Sequence, residues 1–227
     1  MRRSPPYLWL FRHAETEWSR DGRHTSHTDL PLTTDGERMA RELAPTLRGR
    51  SFARVWSSPL QRARHTCEIV GLGPIMKPDP DLTEWDYGDY EGLTSAAIER
   101  ERPGWELWRH GCPRGETLEQ VRSRADRVLD RVMHAFMHPG DPTGEVAPTT
   151  ADAVDATPVA GAASGDIALF SHGHFLRAFV TAWLALPASR GRSFGLHADS
   201  VSILGFEHGN RVIWSWDWTE HLFATGH

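Results

Sequence analysis

Apolar and polar positions alternate along the chain between runs of strand length and stretches of helical period. Tyr7–Phe11 is an uninterrupted apolar run and reads as a short buried strand. A polar loop follows, and Thr33-Thr34-Asp35-Gly36-Glu37 then supplies cap chemistry ahead of a helix over Met39–Leu47. Phe52–Ser57 reads as a second strand, and Ser58-Pro59 opens a helix over Leu60–Val70 with proline near its first position. Pro74–Lys77 is a candidate short strand before the turn residues Asp79-Pro80-Asp81. Helices are expected over Thr94–Arg102 and Thr117–Met137, the latter with Leu118, Val121, Ala125, Val128, Leu129 and Val132 on one face. Residues 138–165 break the pattern, being rich in Ala, Pro, Thr, Gly and Asp, and read as a flexible insertion rather than a linker. The alternation then resumes: a buried strand at Asp166–Ser171, a helix at His174–Leu186, and a hairpin of Val201–Glu207 with Arg211–Trp216. The expected fold class is α/β, a three-layer α/β/α arrangement with a mostly parallel central sheet and an antiparallel edge.

Composition narrows the picture without redrawing it. A length of 227 residues suits one domain spanning 1–227, and 39% hydrophobic with 24% charged residues is ordinary for a soluble globular protein. A formal charge of -5 argues against nucleic acid as the main partner, while leaving room for a basic pocket in an acidic shell. Cys67 and Cys112 form no CxxC pair, which predicts reduced thiols and no disulfide framework. After Met1-Arg2-Arg3, only the five apolar residues 7–11 precede Arg12, too few for a signal peptide, and no run approaches a membrane span. A cytoplasmic protein with no membrane association is the expectation.

The candidate chemistry lies at strand ends. Arg12-His13 follows the first strand and Ser171-His172-Gly173-His174 follows a later one, and the carboxyl edge of a parallel sheet is where ligands bind. Arg62 sits in the helix after the second strand, and Glu84 lies in Leu82-Thr83-Glu84-Trp85-Asp86-Tyr87-Gly88. An arginine fork matches phosphate oxygens bidentately, which makes Arg12 and Arg62 a candidate clamp on a transferring phosphoryl group. A neutral imidazole is a competent nucleophile toward phosphorus and needs no metal where cations absorb the charge. A second, protonated histidine could bond the same oxygens, and a carboxylic acid could protonate the leaving oxygen. His172-Gly173-His174 could form half of a metal site, but nothing downstream completes one, so neither metal nor cofactor is expected. His24, His27, His65, His134, His138, His197, His208, His221 and His227 read as surface or packing residues, with His24 or His27 able to reach the pocket mouth. Trp214, Trp216 and Trp218 alternate on the last strand, which would put all three on one face. Two readings of that face stay open, a homodimer contact and a cover for the sheet edge.

The segments Leu10-Phe11-Arg12-His13-Ala14-Glu15-Thr16-Glu17-Trp18, Thr28-Asp29-Leu30-Pro31-Leu32-Thr33, Ser57-Ser58-Pro59-Leu60-Gln61-Arg62-Ala63-Arg64-His65-Thr66, Glu84 with Tyr87-Gly88, and Ser171-His172-Gly173 occur in this order. Together they resemble the histidine phosphatase superfamily, in its phosphoglycerate mutase-like branch. The resemblance implies a phosphohistidine enzyme with His13 as nucleophile, Glu84 as general acid and then base, and Arg12, Arg62 and His172 around the phosphate. It also implies a small helical lid, roughly 84–137, and pocket-lining roles for Ser19 and Thr25; Ser19 departs from the amide common there in the mutases. Family mutases carry a lysine soon after the glutamate and an arginine pair on the lid. This chain has no lysine after Lys77 and keeps one arginine in Trp108-Arg109-His110. Fewer cations over the leaving group favour loss of the phosphoryl group to water. The blocks Glu84–Thr94 and Trp108–Thr117, with His174, are similar to acid phosphatase and sugar-bisphosphatase-like members. The expected activity is a metal-independent phosphatase acting on a small phosphorylated metabolite, with Tyr87, Arg109, His110, Arg114 and Gly173 as further substrate contacts. The alternatives are a cofactor-dependent phosphoglycerate mutase and a catalytically inactive phospho-ligand-binding module.

Overall fold

A computed structural model describes residues 6–139, 141 and 165–222. Six strands, β1 (Leu8–Arg12), β2 (Phe52–Ser57), β3 (Met76–Pro78), β4 (Asp166–Ser171), β5 (Val201–Glu207) and β6 (Asn210–Trp218), form one sheet in the order β3-β2-β4-β1-β5-β6. The first four run parallel, and β5 and β6 continue the sheet antiparallel. Both faces of the central strands are covered, so β1 and β4 are apolar at nearly every position instead of alternating. Leu8, Leu10, Ile167 and Leu169 face one core; Trp9, Phe11, Ala168 and Phe170 face the other.

The described residues also form six short 3-10 helices and seven α-helices: α1 (Glu17–Arg20), α2 (Thr34–Leu43), α3 (Gln61–Ile69), α4 (Ser95–Glu101), α5 (Leu107–His110), α6 (Leu118–Met137) and α7 (Gly173–Trp183). The α2 and α3 helices contribute Leu43, Ala63 and Cys67 to one core, while α6 and α7 contribute Val121, Val128, Leu176 and Phe179 to the other. Thr33 caps α2 by accepting from Gly36 N, and a Cβ on Gly36 would stand 2.2 Å from Glu15 O, so only glycine lets the loop after β1 lie against this helix. Thr117 and Gln120 form a capping box at the start of α6. The apolar stripe read from the sequence is buried along α6: Val121, Ala125, Val128 and Val132 have no exposed surface. Fully burying each such valine is worth about 1.5–3 kcal/mol.

Several expectations shift. The α6 helix packs on α7 in a layer covering the sheet, and Trp85, Tyr87, Ile98, Trp105 and Trp108 from the segment before α6 share the same core. The helix after β4 starts earlier and ends at Trp183, with Ala185 at φ 53. The short helices α1 and α5 were not foreseen, since a single turn shows no periodicity. Trp214, Trp216 and Trp218 do not share a face. The β5–β6 ladder carries two register shifts and Asp217 sits at φ 57, so Trp216 packs in one core and Trp218 in the other, while Trp214 is exposed against Gly205. The insertion read at 138–165 lies almost wholly outside the described residues. No helix among the described residues is long and apolar enough to cross a membrane.

Candidate active site

The carboxyl ends of β1, β4 and β2 meet where the strand order reverses. Because Arg12 pairs with Ser171, the two strands deliver His13 and His172 side by side, with ring centroids 5.1 Å apart. The His13 backbone is held on both sides: its N–H donates to Ser171 O (3.0 Å) and its carbonyl accepts from Asp199 N (3.1 Å). Its Nδ1 lies 2.8 Å from Ala14 O. A carbonyl only accepts, so Nδ1 carries the proton and Nε2 keeps the lone pair. Burial, then Arg62 and Arg12, hold the His13 pKa well below the usual imidazole value.

His172 is the N-cap of α7 and fully buried. Arg62 Nε donates to His172 Nδ1 (3.2 Å), which leaves His172 Nε2 to donate to Ser58 Oγ (2.8 Å). A guanidinium cannot accept, so His172 is neutral here, and burial followed by Arg62 keeps its pKa well below the ordinary value. This corrects the sequence expectation of a protonated second histidine.

The two arginines are not an equivalent pair. Besides the bond to His172, Arg62 donates from Nη1 to Thr28 O (3.1 Å) and from Nη2 to Thr25 O (3.2 Å) and Ser26 O (3.1 Å). Four of its five N–H groups are thereby engaged, so Arg62 has one left and cannot grip a phosphate bidentately. The accepting loop is shaped by Glu91, which takes Ser26 N in both oxygens (3.0 and 2.9 Å) and Thr28 N (3.0 Å). Among the described residues, Arg12 bonds Leu196 O through Nη1, and its buried Nε has no partner. A Cβ on Gly173 would lie 3.3 Å from Arg12 Cζ, so glycine there leaves the guanidinium its place. Burial lowers both guanidinium pKa values, and the largest opposing influence on each is Glu84.

Glu84 reaches the N-terminus of α7. Its Oε1 accepts from Trp85 N (2.9 Å) and Phe175 N (2.8 Å), and its Oε2 from His174 N (3.1 Å). Beside it, buried Tyr87 has its hydroxyl 2.7 Å from His174 Nδ1, and the His24 ring stands 4.6 Å from Tyr87. Burial pushes the Tyr87 pKa well above its normal value, pulls His174 well below, and takes His24 down to about 4.

The structure thus gathers His13, Arg12, Arg62, Glu84, His172, Gly173 and Tyr87. Thr25 contributes its carbonyl to Arg62 while its hydroxyl turns to Arg23 O. The Ser19 hydroxyl donates to Thr16 O and accepts from Thr16 N in the α1 capping box, so it is engaged away from the cluster. Arg109 and His110 are exposed on α5, the His110 Nδ1 accepting from Glu106 N, and Arg114 pairs with Asp89. Ser58 and Glu91 were not singled out from the sequence: Ser58 read as a helix opener, and only the β2–β4 register sets it beside His172. Among the described residues, no three His, Cys, Asp or Glu side chains are grouped to hold a metal ion.

Four histidines, His174 half-buried and the other three buried, make stability depend on pH. His13, His172, His174 and His24 bind protons in the unfolded chain near pH 6.5 but resist them when folded. Their contribution, complete above that pH, is lost as pH falls below it. Asp199, raised to about 6 by burial, works the other way in the same window. Asp130, raised by burial and by Asp126, adds to Asp199; four groups against two leave a net loss, so the thermal midpoint should fall between pH 6.5 and 4.5. A flat or rising midpoint would contradict this electrostatic picture.

The model of the histidine phosphatase superfamily (branch 1) matches residues 8–138 and 133–219. The chain is 37% identical over 209 residues to an acid phosphatase of Mycobacterium tuberculosis, covering 91% of this chain and 89% of that protein. It is 35% identical over 211 residues to sedoheptulose 1,7-bisphosphatase of Saccharomyces cerevisiae, covering 82% and 70%. Superposition on the solved structure of open reading frame Rv3214 from Mycobacterium tuberculosis gives a TM-score of 0.79 at 34% identity, over 95% of this chain and 99% of that one.

Proposed function

The chain belongs to the histidine phosphatase superfamily, and on that footing we propose that it is a metal-independent phosphoric monoester hydrolase acting on small phosphorylated metabolites through a phosphohistidine. The observation that carries the reading is the His13 tautomer: Nδ1 donates to Ala14 O, leaving an Nε2 lone pair among buried cations. In this scheme Nε2 attacks phosphorus in line as the P–O bond to the leaving group breaks. Arg12, with its free N–H groups, takes the phosphoryl oxygens; Arg62 adds charge and one N–H, and holds the His172 tautomer. Glu84 in its acid form gives its proton to the departing oxygen, releasing an alcohol. The Glu84 carboxylate then takes a proton from water, whose oxygen attacks the phosphohistidine and releases phosphate and neutral His13.

Relatives named acid phosphatase and sedoheptulose 1,7-bisphosphatase support the choice of small phosphomonoesters, sugar phosphates among them. The mutase alternative would need further cations over the leaving group, and Arg109 is exposed while Arg114 is paired with Asp89. The test is phosphate release from p-nitrophenyl phosphate and a panel of sugar phosphates and phosphoglycerates, with and without chelator and vanadate. Turnover should survive chelation and be blocked by vanadate, which mimics five-coordinate phosphorus. Loss of turnover in chelator, restored by zinc, would overturn the metal-free scheme, and isomerisation dependent on a bisphosphorylated primer would favour the mutase.

A further inference from the structure

We propose that Arg124, anchored by Glu116, is a positioning residue that fixes the backbone from which the Glu84 carboxyl reaches the leaving group. The inference rests on the proposed role of Glu84 as proton donor. Residues 83–87 lie in no helix or strand, and neither a ladder nor a helix satisfies the carbonyls of Thr83 and Glu84. Arg124, from the second turn of α6, does so. Its Nη1 donates to Asp81 O (2.8 Å) and Thr83 O (2.9 Å), and its Nη2 to Glu84 O (3.2 Å). The remaining donors form a fork on Glu116, Nε to Oε1 (2.7 Å) and Nη2 to Oε2 (2.6 Å). Every N–H of the guanidinium is used, which a lysine cannot reproduce.

Glu116 extends the grip along the same segment. Its Oε2 also accepts from Asp86 N (3.0 Å), its carbonyl from the Trp85 indole (2.9 Å), and its N–H donates to Asp86 O (2.9 Å). A Cβ on Gly115 would stand 2.2 Å from Asp86 O, so the two segments are as close as backbones can pack. On its other side, the Arg124 Cζ lies 4.9 Å from the centre of the Phe175 ring, and the Phe175 amide holds Glu84 Oε1. Arg124 therefore touches both the backbone that carries Glu84 and the residue that orients its carboxylate. Proton transfer needs the acid within hydrogen-bond reach of the departing oxygen, and a shift of about 1 Å can cost a hundredfold.

The experiment compares kcat/KM, which reports steps through leaving-group departure, for p-nitrophenyl phosphate and for glycerol phosphate. The leaving phenolate of the first needs little protonation; the alkoxide of the second needs it fully. Arg124→Lys, Glu116→Gln and Glu84→Gln are assayed beside the wild-type protein, with vanadate inhibition as a measure of the phosphate pocket. Arg124→Lys should lose about a hundredfold on glycerol phosphate and less than about tenfold on the aryl ester, with vanadate inhibition within about threefold. Equal losses on both substrates, or no loss on either, would overturn the positioning role. If Arg124→Lys does not fold, Glu116→Gln carries the same expectation and the same overturning result. Should Glu84→Gln show no leaving-group dependence, the proton-donor assignment falls and takes this inference with it; should it show one that Arg124→Lys lacks, the inference alone falls.

Discussion

Replacing His13 with alanine should lower kcat for p-nitrophenyl phosphate by about 10⁴-fold or more, the scale on which loss of a covalent nucleophile is felt. The residue is 5% exposed and its Nε2 is the one imidazole lone pair that the local bonding leaves between Arg12 and Arg62. His172 cannot substitute for it, because Nδ1 accepts from Arg62 and Nε2 is the N–H that faces Ser58. The phosphate-holding groups are untouched by the substitution, so inorganic phosphate and vanadate should still bind, and removing a buried imidazole beside two cations should leave the fold intact. The wild-type protein quenched during turnover should carry phosphate on nitrogen, labile to acid and stable to base; His13→Ala should carry none. Residual activity within tenfold of wild type, or label retained in the variant, would remove His13 from the role.

How much of this site was readable in advance follows from what sets each feature. The ends of β2 and β4 fall at Ser57 and Ser171, where the apolar runs stop, so Arg12-His13 and His172 could be placed at one edge from local pattern alone. Which partner each side chain chooses depends on long-range register, and there the sequence is silent. Arg62 reads as half of a phosphate fork, yet the carbonyls of Thr25, Ser26 and Thr28 engage it, because Glu91 pulls that loop inward. Ser19 reads as pocket-lining but closes a one-turn helix with Thr16. The tryptophans of β6 read as one face because alternation assumes an unbroken ladder, and the αL backbone of Asp217 breaks it. His24 gave no signal beyond proximity, since its burial against Tyr87 and Trp105 comes from the segment before α4 and the turn between α4 and α5, far along the chain.

The unequal roles of the two arginines set the other large effect. Arg62→Lys should be costly to both stability and rate, more than a charge-conserving change would suggest. Arg62 has no exposed surface, and its planar fork satisfies three loop carbonyls and one imidazole nitrogen. A lysine brings a single ammonium with three donors that cannot span acceptors on two sides of the pocket. At least two buried acceptors then lose their donor, at about 1–3 kcal/mol each. For a chain of this size that corresponds to a fall in the thermal midpoint of roughly 4–24 °C. The kinetic cost comes through the lost N–H of Arg62 and through His172: with no donor on Nδ1, its proton is no longer confined to Nε2 and the ring beside His13 is free to turn. A loss of about 10²–10³ in kcat/KM is expected, the scale of removing one preorganised donor. Arg12→Lys provides the contrast, since among the described residues Arg12 has one carbonyl partner and a buried Nε without one. It should keep the midpoint within a few degrees while raising KM and the vanadate inhibition constant. If Arg62→Lys melts with the wild type, or Arg12→Lys destabilises the fold as much as Arg62→Lys does, the division of labour between the two guanidinium groups is wrong.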